Sequence, residues 1–137
     1  MFRTMLVEDS PNFRQIVKDT LQDQFPCMDI IEAANGAEAL QKIDGHPPNL
    51  IFMDIRLPEE NGLELTRKIK VDWPDVIIII LTSYDLPEYQ EEATRNKADY
   101  FLSKGSIVNN EMFTLVKSIL SEEGFNADGS DSERRHP

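Results

Sequence analysis

The stretch Asn49-Leu50-Ile51-Phe52-Met53-Asp54-Ile55-Arg56-Leu57-Pro58 decides how the rest of the chain is read. An apolar run stops at a single carboxylate, Asp54, and a turn rich in Pro, Glu, Asn and Gly follows as far as Gly62. Short apolar runs bounded by turn residues read as buried strands. In an open parallel sheet, chemistry sits just beyond the carboxyl ends of such strands. Asp54 is therefore either a turn-starting residue or the reactive group of the protein, and its neighbours in space must decide between the two.

Working outward, the same pattern recurs. Met5-Leu6-Val7 runs into Glu8-Asp9, and Ser10-Pro11 then marks a helix start, Ser as cap and Pro at the first helical position. Phe13, Ile16, Val17, Leu21 and Phe25 follow at intervals of three and four, and Pro26 stops that helix. Residues 28–33 read as a second strand. Asn35 with Glu38 three residues on is a capping arrangement for a second helix carrying Ala39, Leu40 and Ile43. Beyond the opening stretch, Leu65, Ile69 and Trp73 carry a third helix that Pro74 closes.

Val76-Ile77-Ile78-Ile79-Ile80-Leu81 has no polar alternation, as expected of a strand covered on both faces, and it ends at Thr82-Ser83. A fourth helix over 88–96, capped by Asp85 or Glu88, has only Tyr89 and Ala93 for an apolar face. It is expected to be the least firmly packed. Tyr100-Phe101-Leu102 is a fifth strand ending at Ser103-Lys104-Gly105, and Met112, Leu115, Val116, Ile119 and Leu120 form a last amphipathic helix. Five strands alternating with five helices predict an α/β doubly wound, flavodoxin-like sandwich with a parallel five-stranded sheet of order 2-1-3-4-5. Residues 1–123 make one domain. Apolar periodicity dies after Glu122, so 124–137 is expected to be a disordered tail or the start of a linker.

Bulk composition narrows the function classes. A chain of 137 residues, 40% hydrophobic and 8% aromatic, suffices for one domain with a core. The net charge of −11 argues against a DNA- or RNA-binding surface, which needs clustered Lys and Arg. It suits a protein that attracts cations. With Cys27 as the one cysteine there is no intrachain disulfide and no Cys-based zinc site; Cys27 is expected to be a small buried hydrophobe. The longest apolar run, Val76 to Leu81, is too short to cross a membrane, and the cytoplasm is the expected compartment.

Four of the five strands end in residues with chemical potential: Glu8-Asp9, Asp54, Thr82-Ser83 and Lys104. Each has a plain structural reading. Acidic residues favour helix N-termini, an Asp starts turns, a strand-end Thr bonds backbone, and a Lys is usually a solvated charge. In the sheet order above, however, these strands are successive neighbours and their ends converge. Three close carboxylates repel one another unless a cation intervenes, and hard oxygen ligands suit Mg²⁺. Lys104 adds a positive charge that can pair with Asp54 at rest and with a phosphoryl group later, and Thr82 adds a hydroxyl donor. Together they form an arrangement for phosphoryl transfer to a carboxylate.

These residues resemble the receiver domain of two-component response regulators over residues 3–121. The resemblance rests on Leu6-Val7-Glu8-Asp9, Ala34-Asn35-Gly36-Ala37-Glu38-Ala39-Leu40, Met53-Asp54-Ile55-Arg56-Leu57-Pro58 with Asn61-Gly62, Leu81-Thr82-Ser83 and Ala98-Asp99-Tyr100-Phe101-Leu102-Ser103-Lys104. It implies that Asp54 accepts a phosphoryl group from a sensor histidine kinase or phosphotransfer protein. It implies Mg²⁺ held by Asp9, Asp54 and the backbone carbonyl of Arg56, with Glu8 acting mainly through a metal-bound water. Lys104 and Thr82 would bind the phosphoryl oxygens, and Phe101 would be the aromatic that turns inward with Thr82. The fourth helix, fifth strand and last helix would form the output face and a possible homodimer face when phosphorylated. The kinase would approach the first helix near Phe13.

Two departures stand out. Gly105 follows Lys104 where many receivers have Pro, so a cis peptide there is not expected. Phe101 replaces the Tyr often found at the switch and cannot hydrogen-bond at its tip. The Lys104-Gly105 ending is more like receivers attached to DNA-binding output domains; the chain would be either a stand-alone receiver or one whose output domain lies outside it. Two competing readings are weaker. An aspartate-nucleophile phosphatase needs a second acid two residues after the nucleophile, where Arg56 stands. A phosphorylation-independent interaction module would have lost the Asp, Thr or Lys, and all three are present. Slow self-dephosphorylation is expected, tuned by Arg56 and Tyr84.

Overall fold

The apolar runs become strands and the periodic stretches pack against them. In the computed structural model, which describes residues 1–132, the strands are β1 (Arg3–Val7), β2 (Asp29–Ala33), β3 (Leu50–Met53), β4 (Arg56–Leu57), β5 (Glu60–Asn61), β6 (Ile77–Thr82) and β7 (Tyr100–Ser103). The helices are α1 (Pro11–Gln24), α2 (Gly36–Gly45), α3 (Gly62–Asp72), α4 (Pro87–Arg95) and α5 (Glu111–Glu122). The main sheet is parallel throughout in the order β2-β1-β3-β6-β7, the doubly wound arrangement expected from the sequence.

Because side chains alternate across a strand, each central strand feeds two cores. Met5 and Val7, Ile51 and Met53, and Ile78 and Ile80 face α2, α3 and α4 through Ile43, Leu65, Ile69 and Ala93. Leu6, Phe52, Ile79 and Leu81 face α1 and α5 through Val17, Leu21, Val116 and Leu120. Burial on both sides explains why β3 and β6 read as unbroken apolar runs.

The expected caps are present at two helix starts. The Ser10 Oγ accepts the Phe13 N–H at 3.3 Å, with Pro11 opening α1. Asn35 Oδ1 accepts the Glu38 N–H at 2.9 Å, while Glu38 Oε2 accepts the Ala34 N–H at 3.3 Å. Neither Asp85 nor Glu88 caps α4: its cap position is Leu86, without a side-chain bond, and Pro87 starts the helix. Only Ala93 of α4 is buried, in line with its sparse apolar face.

Several details differ from expectation. Ile16 belongs to the apolar spacing of α1 but is exposed, because Val17 and Leu21 already fill the stripe that meets the sheet. The turn after Asp54 contains a two-stranded hairpin, β4 with β5, reversed at Glu59 with φ 64°. Cys27 is half-buried, its Sγ 3.5 Å from Asp128 Oδ2. The segment 124–132, expected to be a disordered tail or linker start, folds back on the sheet: the Phe2 N–H donates to Gly129 O and the Cys27 N–H to Asp128 O. The remainder of that expectation, 133–137, lies outside the described residues.

Candidate functional site

Strand register brings the chemically equipped ends to one rim. Val7 pairs with Met53, Met53 with Ile80, and Thr82 with Ser103, so Glu8, Asp54, Thr82 and Lys104 all leave the sheet at the same edge. The ladder extends one step past β3, with the Asp54 N–H donating to Val7 O at 3.1 Å. Behind Asp54 the chain must return tightly into α3. The Gly62 N–H bonds Ile55 O at 2.7 Å, and a Cβ on Gly62 would sit 1.8 Å from the Asp54 carbonyl oxygen. Glycine is required there by close approach.

Glu8, Asp9 and Asp54 each place a carboxylate oxygen within 4.8 Å of the others'. Glu8 and Asp54 are buried, and Asp9 is exposed. Lys104, at the start of a 3-10 helix Lys104–Ile107, reaches into this cluster. Its Nζ lies 2.6 Å from Glu8 Oε1 and 3.4 Å from Asp54 Oδ2. The resting partner of Lys104 is thus Glu8 before Asp54, where the sequence suggested Asp54. The second Glu8 oxygen accepts the Ser10 N–H at 3.1 Å. Asp54 Oδ1 accepts the Ile55 N–H at 2.8 Å, which leaves Oδ2 the less tightly held of its two oxygens.

The electrostatics follow from burial beside like charge. Desolvation pushes the Glu8 carboxyl above the usual carboxylate range, with the Asp54 charge adding to it and the Lys104 and Ser10 bonds opposing. Burial works against the Lys104 ammonium, but the bond to Glu8 and the charges of Asp54 and Glu8 outweigh it and raise its pKa. Lys104 is a fixed cation in this setting. Hard, closely spaced carboxylate oxygens, two of them buried, fit a Mg²⁺-sized ion and not a thiophilic one.

Thr82 is fully buried, and its Oγ1 accepts the Tyr84 N–H at 3.1 Å. The Arg56 guanidinium carbon stands 4.3 Å from the Tyr84 ring centroid, and that ring is 5.8 Å from Tyr89 of α4. Phe101 is half-buried against the core that includes Ala93 of α4. The Lys104-Gly105 peptide is trans. Two contacts escaped the sequence reading. Arg14 Nη1 donates to Glu8 O at 2.6 Å, tying α1 to the rim, and the Phe13 ring centroid is 4.3 Å from Lys104 Nζ. Both residues sat inside an ordinary amphipathic helix pattern that carried no signal for either role.

The chain resembles known proteins over nearly all of this framework. The family model of the response regulator receiver domain matches residues 4–117. A chemotaxis protein CheY of Halobacterium salinarum is 33% identical over 102 residues, 74% of this chain and 83% of that one. An uncharacterized response regulatory protein of Vibrio cholerae is 33% identical over 103 residues, of which the chain spans 39% of the length. The transcriptional regulatory protein HptR of Staphylococcus aureus is 31% identical over 134 residues, 92% of this chain and 51% of HptR. Among solved structures, a CheY-like receiver domain from Methanospirillum hungatei superposes with TM-score 0.79 at 27% identity, covering 90% of this chain and 96% of that one. The response regulator TrrA of Thermotoga maritima, solved with Mg²⁺–BeF, gives 0.72 at 31% identity, covering 89% and 98%.

Proposed function

The chain belongs to the response regulator receiver family of two-component signalling, a phospho-accepting signalling module and not a turnover enzyme, and from that premise we propose that Asp54 is its phosphoryl acceptor. The observation that carries the reading is the convergence of Glu8, Asp9 and Asp54 with Lys104 at one end of the sheet.

In this reading Asp54 Oδ2 attacks the phosphorus of a phosphohistidine on a sensor kinase or phosphotransfer protein. The P–O bond to Asp54 forms as the P–N bond breaks, and its electron pair returns to the imidazole nitrogen. A Mg²⁺ ion, when bound, would neutralise charge on the transferring oxygens; Asp9, Asp54 and the Arg56 carbonyl would hold it directly, and Glu8 through a water. The Ile55 N–H fixes the orientation of the Asp54 carboxylate. Lys104, already a cation beside Oδ2, pairs with one phosphoryl oxygen, and the Thr82 hydroxyl donates to another. Hydrolysis later returns the carboxylate and inorganic phosphate, at a rate that Arg56 and Tyr84, in contact at 4.3 Å, would tune.

The signal is read at α4, β7 and α5. Turning Thr82 toward the phosphoryl group breaks its bond from the Tyr84 N–H and loosens the loop that leads into the thinly packed α4. Phe101 then fills the space Thr82 leaves. The altered face takes a partner, a second copy or an output domain, and the relation to HptR supports a transcriptional output. Addition of a small phosphodonor with Mg²⁺ should yield one phosphoryl adduct by intact mass, absent without the metal and absent in Asp54→Asn. Rapid turnover of many phosphate esters, or an adduct that ignores the metal, would count against this function.

A further inference from the structure

Among the described residues the Lys104 ammonium has three partners, and they differ in kind. Two are carboxylates, Glu8 and Asp54, whose oxygens belong to the acidic cluster. The third is the ring of Phe13, with Nζ 4.3 Å from its centroid. A carboxylate oxygen that engages a divalent cation has less to offer an ammonium. An aromatic face attracts an ammonium and offers nothing to Mg²⁺ by comparison. Of the three, the Phe13 ring has no part in holding a metal, so its attraction for Lys104 does not depend on whether the acidic cluster is engaged by one.

The ring is also well fixed. Phe13 stands in the first turn of α1, its N–H bonded to the Ser10 cap, and it packs against the core beneath α1 and α5. It lines the same small cleft as Glu8, Arg14, Asp54 and Leu81. Lys104 comes from the opposite side of the rim on a long flexible stem with many rotamers. Phe13 is half-buried, and its ring both packs on that core and lies within reach of the Lys104 ammonium.

We propose that Phe13 is a positioning residue: its ring face holds the Lys104 ammonium at the rim beside Asp54, independently of the carboxylates. This rests on the reading of Asp54 as the phosphoryl acceptor. It adds a residue of α1 to the apparatus that sets the rate of uptake.

The test compares Phe13→Leu, which keeps the apolar bulk, with Phe13→Tyr, which keeps the ring. Carbon–proton NMR of the full chain reads the Lys104 ε-methylene, with and without saturating Mg²⁺. Ring current should shift that signal upfield in the wild type and in Phe13→Tyr under both conditions, and not in Phe13→Leu. At saturating Mg²⁺, phosphorylation by acetyl phosphate should slow about two- to fivefold in Phe13→Leu, as expected for an exposed or half-buried cation–π contact, and remain at the wild-type rate in Phe13→Tyr. An unshifted Lys104 signal in metal-loaded wild type overturns the proposal. So does a wild-type rate in Phe13→Leu, or an equal loss in both variants. A shifted Lys104 signal in a wild-type protein that takes up no phosphoryl group contradicts the acceptor reading instead, and leaves the ring contact as a structural fact.

Discussion

Lys104 shows how much one side chain decides at this site. Its 2.6 Å contact with Glu8 and 3.4 Å contact with Asp54 mean that the ammonium competes with any divalent cation for the same carboxylates. Lys104→Met should therefore bind Mg²⁺ more tightly, by about an order of magnitude given the strength of such close charge pairs near a surface, and take up phosphoryl more slowly. Titration calorimetry checks the first effect; weaker or unchanged affinity would mean that Lys104 does not compete. The sequence made the presence of Glu8, Asp54 and Lys104 at one rim legible, because strand ends in a parallel sheet follow from order and register. It did not reveal that Glu8 is the nearer partner or that Phe13 lies over Nζ. Those depend on where a long stem comes to rest, and sequence spacing does not carry that.

At the scale of elements, the site depends on two junctions. The turn from β3 into α3 is tight enough that a methyl group on Gly62 would meet the Asp54 backbone. Gly62→Ala should lower stability by about 1–3 kcal/mol through overpacking and also weaken phosphoryl uptake, since the displaced backbone carries Asp54, the proposed acceptor. A denaturation midpoint unchanged from wild type would contradict this. The second junction is α1 on β2, where Glu32 accepts from Arg14 Nε at 3.1 Å and Lys18 Nζ at 3.2 Å. Burial alone would raise the Glu32 pKa, but the bonds from Lys18 and Arg14 outweigh it and hold the carboxyl below its usual range. A depressed folded pKa adds stability above the unfolded value, and that contribution is lost as pH falls through the folded one. Glu32→Gln should thus cost under about 1 kcal/mol at neutral pH, and the difference from wild type should shrink on acidification, read as denaturant midpoints against pH. Parallel curves would show that Glu32 gains nothing from its partners. The helices and main strands were legible because their periodicity is long. The two-residue strands β4 and β5 have no periodicity to show.

Over the whole molecule, the doubly wound sandwich was legible from apolar runs alternating with amphipathic stretches. The closure of its ends was not. Phe125 meets Phe2 edge-on with centroids 5.1 Å apart, the N-terminal ammonium lies 2.8 Å from Asp131, and the turn 124–132 seats Gly129 at φ 92° against Met28. This segment is polar and short of apolar residues, so composition alone suggests a tail; what orders it is backbone bonding to β1 and to the loop before β2, together with one ring. Gly129→Ala places a Cβ 3.0 Å from Met28 N in a left-handed conformation. It should cost about 1–2 kcal/mol and speed amide exchange at Phe2, Cys27 and Asp29 while leaving the Asp54 rim unchanged. Loss confined to the rim instead would show that this turn is not what closes the sheet's other end.

The central claim, that Asp54 carries the phosphoryl group, is tested most directly by chemical trapping. An aspartyl phosphate is an acyl phosphate, and borohydride reduces it to the alcohol, marking the modified residue permanently. The protein phosphorylated in the presence of Mg²⁺, trapped and mapped by peptide mass spectrometry should carry that alcohol at position 54, and none when Mg²⁺ is withheld. Reduction at Asp9, Glu8 or another carboxylate, with residue 54 intact, would contradict it.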